Sequence, residues 1–182
     1  MRTKVFTFCT GALALAMITL APSAFAIQPD ANGWYHTGDA VRQKTVVFVT
    51  VNVYQVGHDM KCVVARSKQA VIDADCDKKF TWKMMRDVGN GKIIDAMKEA
   101  YAKNGYNDSG KINQAMGAFN AEFKENAYVK ISYDSTAKTT TFWEQNGGTA
   151  TVAGYDFMQA TWKIWLGNID PPSIGDRLIA NL

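Results

Sequence analysis

The sequence predicts an α+β domain in which helices pack on one face of a long antiparallel sheet. Three observations carry that prediction. Thr45–Val56 is an almost unbroken run of β-branched and aromatic residues. Two stretches then repeat apolar residues at helical spacing: Ile93, Ile94, Met97, Ala100 and Tyr101, followed by Ile112, Ala115, Met116, Phe119 and Phe123. After them, short alternating runs are separated by polar turns, as in a β-meander.

At the start of the chain, Arg2 and Lys4 precede an apolar run from Val5 to Leu20, followed by Pro22 and Ala24-Phe25-Ala26. A basic end, an apolar middle and small residues before the cut read as a secretory signal peptide over residues 1–26. The run is shorter than the roughly 20 residues that span a bilayer and contains Thr7, Thr10 and Thr19, so no stable membrane insertion is expected. Cleavage after Ala26 would remove Cys9 and leave one domain, residues 27–182, periplasmic or secreted.

Thr45–Val56, read as one strand of about 40 Å, would carry Val47, Val49, Val51 and Val53 on one face and Phe48, Thr50, Asn52 and Tyr54 on the other. A short helix or irregular piece over Ser67–Ala74 and a strand over Lys79–Val88 follow, the latter with Phe80, Trp82 and Met84 inward. Gly89-Asn90-Gly91 breaks it. Helices are expected over Lys92–Asn104 and Lys111–Asn126, the second capped by Ser109. Strands over Tyr128–Asp134, Thr139–Glu144 and Thr149–Ala153 form the meander. A broad apolar helical face over Asp156–Leu166 ends at Gly167, and beyond Pro171-Pro172 a last helix covers Ser173–Asn181.

Composition excludes several function classes. The formal charge of +3 includes Arg2 and Lys4, which would leave with the leader, and no Lys/Arg run remains to track phosphates, so nucleic acid is not an expected partner. No cofactor or metal is expected. Cys62 and Cys76 have only His58 nearby, unlike the usual zinc spacings, and Asp73, Asp75 and Asp77 lack the glycine and terminal glutamate of a calcium loop. In an oxidising compartment a Cys62–Cys76 disulfide is the simplest reading, with two separately buried thiols as the alternative. His36 and Asp39 are compatible with acid–base work, but no Gly-x-Ser-x-Gly nucleophile accompanies them.

Four pieces occur in order: Gly38-x-x-Val41-Arg42-x-Lys44; a strand ending in Val53-Tyr54; Phe80-Thr81-Trp82-Lys83-Met84-Met85-Arg86-Asp87-Val88 before a helix; and Trp165-Leu166-Gly167 with prolines. Together they resemble the bacterial chalcone isomerase-like family over most of residues 38–182. The resemblance implies an open β-sandwich with a long antiparallel sheet, helices on one face and a cleft between them. In plant chalcone isomerases an arginine polarises the substrate while a threonine and tyrosine organise a water. Arg42 matches the arginine, the threonine position falls on Val49 with Thr50 adjacent, and the final hydroxyl position reads as Asp176. The helix from Lys92 lacks the tyrosine and asparagine of the pattern.

The family also contains non-catalytic members that bind fatty acids, with the arginine on the carboxylate. That use requires one cation and an apolar lining. The resemblance therefore implies a small amphipathic anion, such as a fatty acid, held by Arg42 and Lys44 and lined by Val47, Val49, Val51 and Trp162. The alternative function is an isomerase or lyase acting on a carbonyl compound with Arg42 as electrophile and Thr50 beside it. On the residues alone, Arg42 equally suits a pair with Asp39 or Asp87 or a solvated position, and Trp162 suits the core as well as a cleft.

Overall fold

The computed structural model describes residues 27–182, so the leader reading of 1–26 lies outside the described residues. Six strands follow one another in a single antiparallel meander: β1 Tyr35–Val46, β2 Val49–Met60, β3 Lys78–Met84, β4 Tyr128–Asp134, β5 Thr139–Glu144 and β6 Thr149–Ala153. The helices are α1 Lys68–Asp73, α2 Asn90–Lys103, α3 Ser109–Met116, α4 Tyr155–Leu166 and α5 Ser173–Leu178.

Alternation in the strands places one face under the helices. Val56, Phe80, Trp82, Met84, Val129, Ile131, Phe142 and Val152 are buried there. Helix α4 seals them because Phe157, Met158, Trp162 and Trp165 all lie on its inner side. The rings of Phe80 and Trp165 are 4.6 Å apart, and those of Phe80 and Trp162 are 5.0 Å apart. The opposite sheet face stays open and carries Lys79, Thr81, Lys83, Lys130 and Tyr128.

The expected long strand over Thr45–Val56 is corrected. The run contains a reversal: Val47 and Phe48 form a two-residue loop between β1 and β2, with φ of 47° and 75°. Positive φ at both positions is the type I′ geometry that normally selects Asn-Gly, so this turn carried no turn chemistry to read. Strand β1 went unseen because Gly38, Asp39, Arg42, Gln43 and Lys44 give it little β signature.

Helix α3 is also shorter than the expected Lys111–Asn126. It is capped by Asp108, whose side chain accepts from Lys111 N at 3.0 Å, and it stops at Gly117. Phe119 and Phe123 reach the core from irregular chain, where Phe123 exchanges backbone hydrogen bonds with Val88. The last helix ends at Leu178 because Asn181 N donates to Thr37 O at 2.9 Å, tying the chain end to β1. Gly38 is required at that crossing, since a Cβ there would collide with the carbonyl oxygen of Arg177.

One buried polar chain fastens these layers. Trp162 Nε1 donates to His58 Nε2 at 2.9 Å, which leaves the ring proton on Nδ1, 2.6 Å from Thr37 Oγ1. Thr37 in turn donates to Leu178 O at 2.6 Å. Burial, with the charges of Lys78 and His36, pushes His58 down to about 3, so it is neutral at physiological pH. Beside it, Lys78 Nζ donates to Val71 O and Ile72 O and lies 5.0 Å from the Trp162 ring, closing the end of α1. Cys62 and Cys76 are joined in a disulfide with Cα atoms 6.2 Å apart.

Candidate functional site around Arg42 and Tyr54

Cross-strand register places Arg42 opposite Tyr54, on the helix-covered side of the sheet. The register then slips: Arg42 pairs with Tyr54 but Gln43 pairs with Asn52, leaving Val53 as a bulged residue. Met85 N donates to the carbonyl of Val53 at 3.0 Å, the last contact of this hairpin with the third strand. Toward the turn, the pairs Gln43–Asn52 to Val46–Val49 have only each other, so a two-stranded ribbon projects about 14 Å beyond the sheet.

The bulge also decides the faces. Val51 lies opposite Lys44, and Val49 opposite Val46, so Val51 and Val49 share Arg42's side of the ribbon. Gln43 with Asn52 (2.8 Å) and Thr45 with Thr50 (3.0 Å) occupy the other side. Thr50, the candidate catalytic hydroxyl, therefore turns away from Arg42 and is corrected as a partner to it. Val47 stands in the turn, 79% exposed, and is corrected as part of a lining wall. Val49 is 63% exposed and Lys44 is exposed; no helix covers them. Trp162 is corrected as well: it is a core residue, fully buried and bonded to His58.

Arg42 itself is half-buried. Its Nη1 donates to the backbone oxygen of Asp170, and no carboxylate pairs with it among the described residues. The two candidate partners are engaged elsewhere. Asp39 accepts from His36 at 2.8 Å, and Asp87 accepts from Glu125 N and Lys124 Nζ. The loop that supplies Asp170 is held by Asn104, whose side chain accepts from Asn168 N at 2.7 Å. Four of the five guanidinium N–H groups remain uncommitted within the described chain.

Sequence reasoning left out the second member of the site, Tyr54. Its ring is buried and stacks on Trp82 at 4.6 Å, and its hydroxyl oxygen accepts from Trp165 Nε1 at 3.1 Å. The hydroxyl proton has no acceptor among the described residues. Burial raises the Tyr54 pKa, with the Trp165 hydrogen bond and the Arg42 charge acting against it, so the group remains a donor. The signal was present in β2, where Tyr54 follows the valine run on the strand's mixed face.

Inward of Tyr54 the space is filled by Trp82 and Trp165, 5.4 Å apart and fully buried. Two shallow hollows lie elsewhere. One of about 310 Å³ sits beside Tyr106 and Ile112; the other, of about 520 Å³, lies on the open sheet face between His36, Asp59, Lys83 and Tyr128. In the second, His36 sets both ring nitrogens against carboxylates, Nδ1 to Asp59 at 2.9 Å and Nε2 to Asp39 at 2.8 Å. Burial opposes the charge, but those two hydrogen bonds carry the His36 pKa above its ordinary value. Asp73, Asp75 and Asp77 bond outward to Gln159, Tyr133 and Ser135, respectively. Asp176 pairs with Lys68 at 2.8 Å.

These features define an α+β protein with one helix-covered sheet face and an arginine–tyrosine pair at the root of a projecting hairpin. The chain belongs to the chalcone isomerase-like family, whose model matches residues 27–172. Its fold is similar to the crystal structure of a fatty-acid-binding protein from Arabidopsis thaliana. The likeness has a TM-score of 0.67 at 12% identity and covers 84% of this chain and 90% of that one. No curated protein matches the sequence.

Proposed function

We propose that this protein binds a small amphipathic anion, of the fatty-acid class, without catalysing its conversion. One observation carries the reading: Arg42 is half-buried, free of any described carboxylate, and directly opposite a buried tyrosine hydroxyl with an uncommitted proton. An arginine fork and a phenolic O–H together satisfy both oxygens of a carboxylate. The Arabidopsis protein of similar fold is described as fatty-acid binding, which supports the same ligand class.

The apolar part of the ligand runs outward. Trp82 and Trp165 fill the inner space, whereas Val51 and Val49 continue from Arg42 along its side of the ribbon, with Lys44 at their edge. Polarisation of a carbonyl by Arg42 in the manner of the plant enzymes would need a threonine beside the tyrosine to organise a water, and Thr50 lies on the other side. The absence of that partner favours binding. We further propose that residues 1–26 are a cleaved leader and that the domain works in an oxidising compartment, a setting in which the Cys62–Cys76 disulfide persists.

Native mass spectrometry of the protein purified from its own source tests the reading, beside an Arg42→Ala variant. An acyl species that co-purifies with the parent and is absent from the variant is the expected result. No bound species in either protein, or the same species in both, would overturn it.

A further inference from the structure

The tip of the projecting ribbon contradicts every local preference for a tight turn. Its two loop positions need positive φ and are filled by valine and phenylalanine, one β-branched and one bulky, where Asn-Gly would be relaxed. Both side chains are spent in solvent: Phe48 is 99% exposed and Val47 is 79% exposed. Val49 beside them is 63% exposed. An apolar cluster placed where it destabilises the turn and fills no core is explained by what it touches outside the chain.

The charges around it are of one sign. Between Ala40 and His58 the only charged side chains are Arg42 and Lys44, both on the same side of the ribbon and behind the tip. Three residues on a convex tip are far too few for a stable protein interface, which takes roughly 20–30 residues a side. A convex apolar tip with cations set back by one or two residue pairs matches a fluid anionic bilayer instead: apolar groups enter the acyl boundary while the cations meet the headgroups.

We propose that the β1–β2 hairpin tip, Val47-Phe48-Val49, is a reversible docking finger for the surface of an anionic phospholipid membrane. Docking is peripheral, since no helix among the described residues is long and apolar enough to cross a membrane. The inference shares Val49 and Lys44 with the acyl path proposed above, but it needs neither Arg42's carboxylate nor a bound fatty acid.

Co-sedimentation with vesicles of phosphatidylglycerol and phosphatidylethanolamine, free of fatty acid, tests it. The protein used begins at residue 27 and so contains the whole described core, because the apolar stretch 5–20 would bind lipid by itself. The parent is expected to partition onto these vesicles and to leave them as salt rises. Val47→Asn combined with Phe48→Gly should fold with an equal or higher thermal midpoint and lose partitioning about tenfold or more. Lys44→Gln should lose about fivefold. Should the double variant misfold, Phe48→Ser alone keeps the test, with a loss in the same direction. A parent that ignores the vesicles, a double variant that binds as well as the parent, or a parent that self-associates through the tip while ignoring lipid would each overturn the proposal.

Discussion

The helix-covered half of the sheet and the ribbon beyond Arg42 are built on opposite rules. In the covered half, Trp162, His58, Thr37 and Leu178 form one continuous hydrogen-bonded chain, and Lys78 is buried against two carbonyls and an indole. Beyond Arg42 neither a third strand nor a helix covers the ribbon among the described residues: Gln43, Asn52, Thr45 and Thr50 are exposed on one side, and Lys44 with the bulky apolar Val47, Phe48 and Val49 are exposed on the other side and at the tip. The contrast separates side chains whose bonding is complete within the fold from those that are open to a partner. Groups already satisfied inside the fold stabilise it, whereas Arg42, Tyr54 and the tip hold interactions in reserve.

Breaking the covered half should cost the fold and spare the ribbon. The largest effect is expected for His58→Ala, which removes a fully buried ring, strands Trp162 Nε1 and takes away the donor to Thr37 Oγ1. Loss of about 3–4 kcal/mol should appear as a lower denaturation midpoint with an unchanged m-value. Replacing Cys62 and Cys76 together with serine opens a loop of sequence separation 14 and should remove about 3 kcal/mol under oxidising conditions. Under strong reductant, the two proteins should converge.

A smaller, pH-dependent effect is expected at Glu144. Its carboxyl is buried on the covered face at the end of β5, and neither oxygen has a partner among the described residues. Burial raises its pKa from an ordinary 4.5 to about 7. Between those values the folded state holds a proton that the unfolded chain has released, so stability is full below pH 4.5 and falls as pH rises to about 7. Glu144→Gln should therefore stabilise the protein by about 1–2 kcal/mol at pH 8 and leave it unchanged near pH 4. Thermal melts across that range check the sign. Arg42→Ala should have the smallest effect on stability, within about 1 kcal/mol, because the loss is one hydrogen bond at a half-exposed site.

The architecture was legible in the sequence wherever local pattern and tertiary environment agree. Phe80, Trp82 and Met84 alternate and are buried together, the three later strands fall where their polar turns place them, and Trp165 and Phe157 share the inner side of α4. The ribbon was not legible because Val47-Phe48 turns without turn residues, so two strands read as one. That error moved the faces by making Val47 to Val53 a continuous wall; the bulge at Val53 then reset the register. Arg42 was legible as the residue of interest, yet its partner Tyr54 depended on a cross-strand pairing that no spacing within a single segment reveals. Equally hidden was His58, whose role follows from Trp162 of α4 reaching it from over a hundred residues away in sequence, with Leu178 of α5 accepting from its neighbour Thr37.

The claim that Arg42 and Tyr54 form a carboxylate cradle at the root of the ribbon is tested most directly by calorimetric titration with a long-chain fatty acid and with its methyl ester. The ester keeps the acyl chain and removes the charge. The parent is expected to bind the acid about tenfold or more tightly than the ester, and Arg42→Ala to bind the two alike. Equal affinity of the parent for acid and ester, or a preference for the acid that survives in Arg42→Ala, would contradict the account.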